Sequence, residues 1–353
     1  MTTSLAIQHI RERVTGFLAG LTYGLNGLSY EDSYDLISDV PIQDLKDWEN
    51  GHFLEHRQRV VFGTQELSVV DTFPTEDENK HIVVRDSESV FVRSMYFNRR
   101  IDLEQSRVLV SRFDENEVFN FTEPSPHVRG LAIALAAIRN NSKYPVRVCV
   151  LGGGGCVLSM FFRSMLDDKS QIDTVDISND ALFLARRFFG IAEYEGDRFR
   201  IHEQCGIAWT TNIAKTKPHS IDILAIDVED GDALEEQNAS PVAPPRSFLD
   251  SSFLEAAFQS LDTQGCMVIN IIGDEQQFHT ACEAVVDAGF FHTSVDVPGA
   301  VGNRQRILFC VRKGNEAMLK YHRIKAFLIE DDRIIGSDLC NWMKTWGAPN
   351  GLR

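Results

Sequence analysis

Apolar residues recur along this chain in two rhythms, one helical and one of short extended runs, and their order sets the expected fold. Ile7, Ile10, Val14, Phe17, Leu18 and Leu21 fall at helical spacing and predict an amphipathic helix over residues 4–22. Residues 23–58 hold more glycine, aspartate and aromatics and read as irregular with short helical pieces. The rhythm then changes. Runs 59–62, 68–70, 81–84, 90–92 and 108–110 are short and β-rich, with polar turns between them, and predict a small antiparallel sheet. Pro124 and Pro126 punctuate its exit, and the alanine- and leucine-rich stretch 128–139 predicts one helix.

From residue 146 strands and helices alternate. The predicted strands are 146–151, 172–176, 199–202, 221–226 and 267–272, and the predicted helices are 156–165, 179–189, 250–261 and 275–288. Gly190 closes the second of these helices, and an acidic, proline-containing loop fills 231–247. Two last strands, 293–297 and 306–311, are joined by too few residues for a crossover helix, so they must pair antiparallel. Five βα units and a terminal hairpin make an α/β protein. Its sheet is Rossmann-like with seven strands, unlike that of a dehydrogenase, which continues parallel. The expected segments are 1–58 (helical), 59–124 (small antiparallel β domain), 125–315 (Rossmann-like domain) and 316–353 (a helical tail with Trp342 and Trp346).

The first strand of that domain stops at four consecutive glycines, Gly152, Gly153, Gly154 and Gly155. Glycine is needed where φ is positive or where a ligand must approach the backbone closely. The following helix offers unpaired N–H groups at the same place. The second strand ends in Asp176, 24 residues after Gly152. That is near the spacing of about 20 residues at which such a sheet presents a carboxylate to ribose hydroxyls. Together they point to a nucleoside-cofactor site, whereas a purely structural turn would not call for the downstream acid.

Charge and cysteines narrow the partners. With 35 basic against 51 acidic residues the formal net charge is −16, which argues against nucleic acid as the main partner. It suits a cationic partner such as an amine or a basic protein, although solubility alone accounts for it equally well. No apolar run reaches membrane-spanning length, and residues 1–30 lack a signal-peptide core. The seven cysteines are scattered, with no CxxC pair and no metal-ligand spacing. They read as reduced core residues of a cytoplasmic protein, and no metal is expected.

Several stretches resemble the spermidine-synthase-like branch of the S-adenosylmethionine-dependent methyltransferases. The likeness is to the elongation factor 1-alpha methyltransferases of the methyltransferase-like protein 13 family, in their C-terminal domain. The residues that carry it are Arg93, Ser94, Met95, Tyr96 and Phe97 with Gln105 and Ser106; the glycine stretch 148–158; and 185–191 followed by Asp197 and Arg198. Further on, Ile226, Asp227, Val228 and Glu229, then Pro244 and Pro245 with Ser252, Phe253 and Leu254, and finally 307–310 continue it. It covers residues 60 to 313, and its strength lies in order and spacing rather than in any one motif. Cys156 replaces the third glycine of the turn, and Cys205 replaces an aspartate that receives the adenine amino group in the family. Cysteine is a poor acceptor, and the adjacent Gln204 is the available substitute.

The resemblance implies S-adenosyl-L-methionine as cofactor. It implies Gly152 to Gly155, Asp176, Ile177, Cys205, Gly206, Asp227 and Gln105 as the residues around it. It also implies methyl transfer to an amine of a protein, by likeness the N-terminal α-amine or a lysine of elongation factor 1-alpha. A homodimer is compatible with the fold. Asp227 closes the fourth strand at the carboxyl edge, where open α/β sheets bind ligands. A carboxylate there can hold an ammonium and help it lose its proton, with Glu229 beside it, so both are expected to be catalytic. Asp230 extends this acidic rim, whereas Asp232 reads as a solvated loop residue. His127, just before the entry helix, could line the site, with a capping or surface role the weightier reading. Two other functions compete. A polyamine synthase using the decarboxylated cofactor would carry "DSSDP" after the fourth strand, where this chain has Asp227, Val228, Glu229, Asp230 and Gly231. A non-catalytic module would be expected to have lost at least one of Gly152, Gly154, Asp176 and Asp227, and all four are present.

Overall fold

The structure, a computed structural model, describes residues 58–64, 66–72, 88–97, 100–113, 116–122, 124–139, 145–229, 243–297, 305–320 and 324–325. The expected helix over 4–22, the strand over 81–84 and most of the tail beyond 320 lie outside the described residues. The described residues fall into two compact units, divided between Asn120 and Phe121. Among the described residues no helix is long and apolar enough to cross a membrane.

The first unit is an antiparallel meander of five strands in chain order. They are β1 (Gln58–Gly63), β2 (Leu67–Thr72), β3 (Glu88–Phe97), β4 (Arg100–Phe113) and β5 (Asn116–Asn120). One face buries Leu67, Val69, Phe91, Met95, Val108 and Val110 at alternate positions, as a half-buried sheet requires. The same face carries Arg93, only 2% exposed, which grips Asp71 at 2.7 and 3.0 Å and Glu117 at 2.6 and 3.0 Å. Periodicity in the sequence pointed to residues 108–110 alone for β4 and to nothing for β5. β5 is polar because its inward Glu117 pairs with charge, not with apolar side chains, which hides the alternation.

The second unit holds β6 (Arg147–Leu151), β7 (Gln171–Asp176), β8 (Phe199–Glu203), β9 (Ile221–Ile226), β10 (Leu261–Ile272), β11 (Phe290–Asp296) and β12 (Gln305–Arg312). Their order in the sheet is β11-β12-β10-β9-β6-β7-β8. β12 runs antiparallel to both of its neighbours, β10 and β11, so the terminal hairpin is as the short loop required. The helices are α1 (Pro126–Ala132), α2 (Ala134–Arg139), α3 (Val157–Met165), α4 (Asn179–Phe188), α5 (Gly206–Thr216), α6 (Ser251–Ser260) and α7 (Glu275–Asp287). The single helix expected over 128–139 is divided. Near Gly130 and Ile133 the bonds tighten to i→i+3, with Ile133 N–H donating to Gly130 and Ala136 N–H to Ile133.

Central strands carry continuous apolar runs because both faces are covered, and every residue of β9 is buried. On one face α5, α6 and α7 contribute Trp209, Ile213, Phe253, Leu254, Ala281 and Val285 to a single cluster with Leu151, Ile226 and Leu308. Strand order reverses between β6 and β9, and in open α/β sheets the crevice outside the carboxyl ends at that point is where ligands bind.

Candidate cofactor and acceptor site

The turn after β6 is built by contacts to both neighbouring strands. Gly152 has φ +89°, and its N–H donates to Val175 O at 2.9 Å. Asp227 N–H donates to Leu151 O at 2.8 Å. A Cβ on Gly152 would lie 2.0 Å from the Asp227 carbonyl oxygen. The backbones leaving β6 and β9 therefore touch, and only glycine fits between them. At the far end of the turn Cys156 takes φ 57°, a left-handed conformation that glycine adopts without steric cost. For a side-chain-bearing residue that costs about 1 kcal/mol. Its thiol is buried, and burial pushes its pKa up, so it is an inert thiol.

Asp176, at the end of β7, closes this turn from the side. Its Oδ2 accepts the N–H groups of Gly153 at 2.7 Å and Gly154 at 2.9 Å, and Oδ1 accepts from Ser178 N–H at 2.8 Å. Burial raises the carboxyl above the usual range, and the backbone N–H groups only partly oppose that. Ile177, the next residue, keeps its apolar side chain 74% exposed. Ser178 caps α4 through Ala181 N–H at 3.1 Å. Beyond β8, Cys205 is the N-cap of α5 and makes no side-chain cap, as is also true of Cys156 at α3. Both helices so reach the carboxyl edge with first-turn N–H groups that no capping side chain covers. Gly206 is half-buried behind Cys205, facing Leu151 and Phe248.

Asp227 is held by residues that sequence reasoning did not select. Its Oδ1 accepts from Asn270 Nδ2 at 2.8 Å, and Asn270 Oδ1 accepts from Gln305 Nε2 at 2.9 Å. Asn270 is 1% exposed and is the one polar residue in the run 267–272. A buried amide must be hydrogen-bonded, and that signal could have found it. His127 sits in the first turn of α1, 17% exposed, with Nε2 4.0 Å from Asp227 Oδ2. Its Nδ1 lies 3.2 Å from Ser125 Oγ. Glu229 is half-buried two residues past Asp227, while Asp230 and Asp232 lie outside the described residues. Gln105 is half-buried on β4, in the first unit. Among the described residues no group of three or more His, Cys, Asp or Glu is arranged to hold a metal.

No profile of a known protein family matches the chain. Over 187 residues it is 27% identical to the mouse protein named eEF1A lysine and N-terminal methyltransferase, and over 190 residues 26% identical to the human protein of that name. Each match covers 52% of this chain and 26% of the relative, so the chain matches about a quarter of the length of these curated relatives. Among solved structures it is similar to a probable spermidine synthase from Corynebacterium glutamicum. The identity is 15%, the match covers 81% of this chain and 94% of that one, and the TM-score is 0.51. The fold is the Rossmann-like one with a terminal antiparallel hairpin. The resemblance read from the sequence recurs in these relatives.

Proposed function

We propose that the chain is an S-adenosyl-L-methionine-dependent methyltransferase acting on an amine of a protein. The observation that carries this reading is the meeting of three elements at one sheet edge. The glycine turn, the Asp176 carboxylate and Asp227 come together where β6, β7 and β9 end, and Gly152 packs directly on Asp227. The named methyltransferase relatives, matched over half of the chain, support the same reading.

The residues fit the cofactor. Gly152 to Gly155 present backbone with no side chain in the way. Asp176 receives only backbone N–H groups among its hydrogen bonds, so it can turn to ribose hydroxyls without giving up an ion pair. Ile177 offers an exposed apolar surface to the adenine ring, with Cys205 and Gly206 flanking it. Bound there, the sulfonium supplies an electrophilic methyl group. The protein's own part is to bring an amine close, aligned and unprotonated. Asp227 holds the amine, and Glu229 adds negative charge beside it. By relationship to the named relatives the acceptor is the N-terminal α-amine or a lysine of elongation factor 1-alpha. We place the protein in the cytoplasm, where its cysteines stay reduced.

Calorimetric titration of the protein with S-adenosylmethionine and, separately, with its decarboxylated form tests this. Micromolar binding of the intact cofactor and much weaker binding of the other is expected. The reverse preference would make the chain a polyamine synthase. Binding of neither would leave the fold as a non-catalytic module.

A further inference from the structure

Asp227 Oδ2 and His127 Nε2 face each other across 4.0 Å. That distance is too long for a hydrogen bond. The carboxylate is not free to close it, because its other oxygen is fixed by Asn270, which is in turn held by Gln305. Turning the carboxylate away would strand a buried amide. The imidazole is fixed as well. Pro126, the first residue of α1, sets the backbone between Ser125 and His127, and Ser125 Oγ lies 3.2 Å from Nδ1. With the proton of the neutral ring on Nδ1, that N–H donates to Ser125, and Nε2 turns a bare lone pair toward Asp227. Two acceptors then confront each other.

A donor carrying several protons resolves such a confrontation. A nitrogen placed about 2.8 Å from each group spans a separation of this size, because twice that length exceeds it. Resting on the methyltransferase reading, we infer that the acceptor amine is seated between Asp227 Oδ2 and His127 Nε2, and that His127 is the base that takes its proton. The ammonium donates one N–H to the carboxylate and another to the imidazole. The latter N–H bond breaks, its electron pair stays on the amine nitrogen, and a new N–H bond forms at Nε2. The resulting imidazolium lies between the Asp227 carboxylate and the Ser125 hydroxyl, which stabilise its charge. It returns to the neutral ring by losing a proton to water.

Carbon-13-labelled histidine in the full chain, titrated with glycinamide as the amine probe, tests the seat without requiring turnover. The His127 ring resonance, assigned by its absence in His127→Gln, is expected to shift saturably, and at least tenfold more weakly in Asp227→Asn. No shift, or an equal shift in both proteins, overturns the seat. Adding S-adenosylhomocysteine to the same samples reads the cofactor separately: if it does not bind while glycinamide shifts His127, the proposed function fails and the seat stands. For the proton step, His127→Gln should slow single-turnover methylation of elongation factor 1-alpha about 100-fold, with the S-adenosylmethionine Kd within twofold. Free imidazole should restore part of the rate to His127→Gly. A His127→Gln rate within threefold of wild type overturns the base.

Discussion

The two ends of the parallel sheet treat their carboxylates differently. Toward the amino end, Asp173 on β7 is buried and receives Arg147 at 3.1 and 3.0 Å, Arg200 at 2.9 and 3.2 Å and His202 at 2.8 Å. Asp222, near the start of β9, takes the backbone N–H of the same Arg147 at 2.8 Å. At the carboxyl end, Asp176 is bonded by backbone N–H groups and Asp227 by the Asn270 amide. Titration follows the partners. Burial by itself would raise the Asp173 carboxyl, but the His202 bond and the Arg147 and Arg200 charges hold it below the usual range. For Asp176 burial wins, and the carboxyl is raised. A carboxylate saturated with cations fastens strands together. One held by neutral donors keeps its charge available for a ligand.

The sharpest way to break this contrast is at Asp227. Asp227→Ala should reduce methyl transfer at least 1000-fold while leaving cofactor affinity within about tenfold, because an amine contact and not a cofactor contact is removed. Single-turnover rates and calorimetry measure the two sides, and unchanged turnover would move Asp227 among the fasteners. At the other end, Asp173→Ala leaves the mostly buried Arg147 without its carboxylate and should destabilise the fold by about 3 kcal/mol in urea. A loss below about 0.5 kcal/mol would show that the cluster fastens nothing. Asp176→Ala should act on both quantities. Cofactor affinity should fall about 100-fold, and stability should fall by about 1–2 kcal/mol through the orphaned glycine N–H groups.

The pH dependence sharpens the contrast further. The Asp173 carboxyl is depressed, so its contribution is present above the ordinary carboxylate pKa of about 3.9 and is lost as pH falls through its lower folded value. The Asp176 carboxyl is raised, so its contribution is present below about pH 3.9 and is lost as pH rises through its higher folded value. Urea unfolding from acid to neutral pH should therefore lose opposite-sloping components in Asp173→Asn and Asp176→Asn, and parallel curves would erase the distinction. The smallest effect is expected at Cys156→Gly. Relief of the left-handed backbone and loss of a buried thiol oppose each other at about 1 kcal/mol apiece, so stability should change by less than about 1 kcal/mol. A gain of more than tenfold in cofactor affinity would mark the thiol as an obstruction at the turn.

Much of this site is legible in the order of residues along the chain. Gly152 and Asp176 stand out through a glycine run after a buried strand and an acid at the right distance, and Asp227 through its place at a strand end. Asn270 is legible in principle as a lone amide in an apolar run. His127 is not. It belongs to α1, a hundred residues before Asp227, and nothing in its local sequence separates a cap from a site residue. The polar strand β5 escapes for a related reason, since Glu117 meets Arg93 and Arg112 inside the unit.

Periodicity, loop length and backbone freedom are local properties, so the seven strands of the second unit, their antiparallel last hairpin and the glycine turn can be read along the chain, whereas α5 and β5 cannot. Which carboxylates meet cations and which meet neutral donors depends on the assembled sheet. Arg147, Asp173 and Arg200 lie on three strands that become neighbours only when the sheet assembles, and Asp227, Asn270, Gln305 and His127 come from three strand ends and a helix. Coulomb and hydrogen-bond energies act over a few ångströms, so they register strand order in space and not distance along the chain.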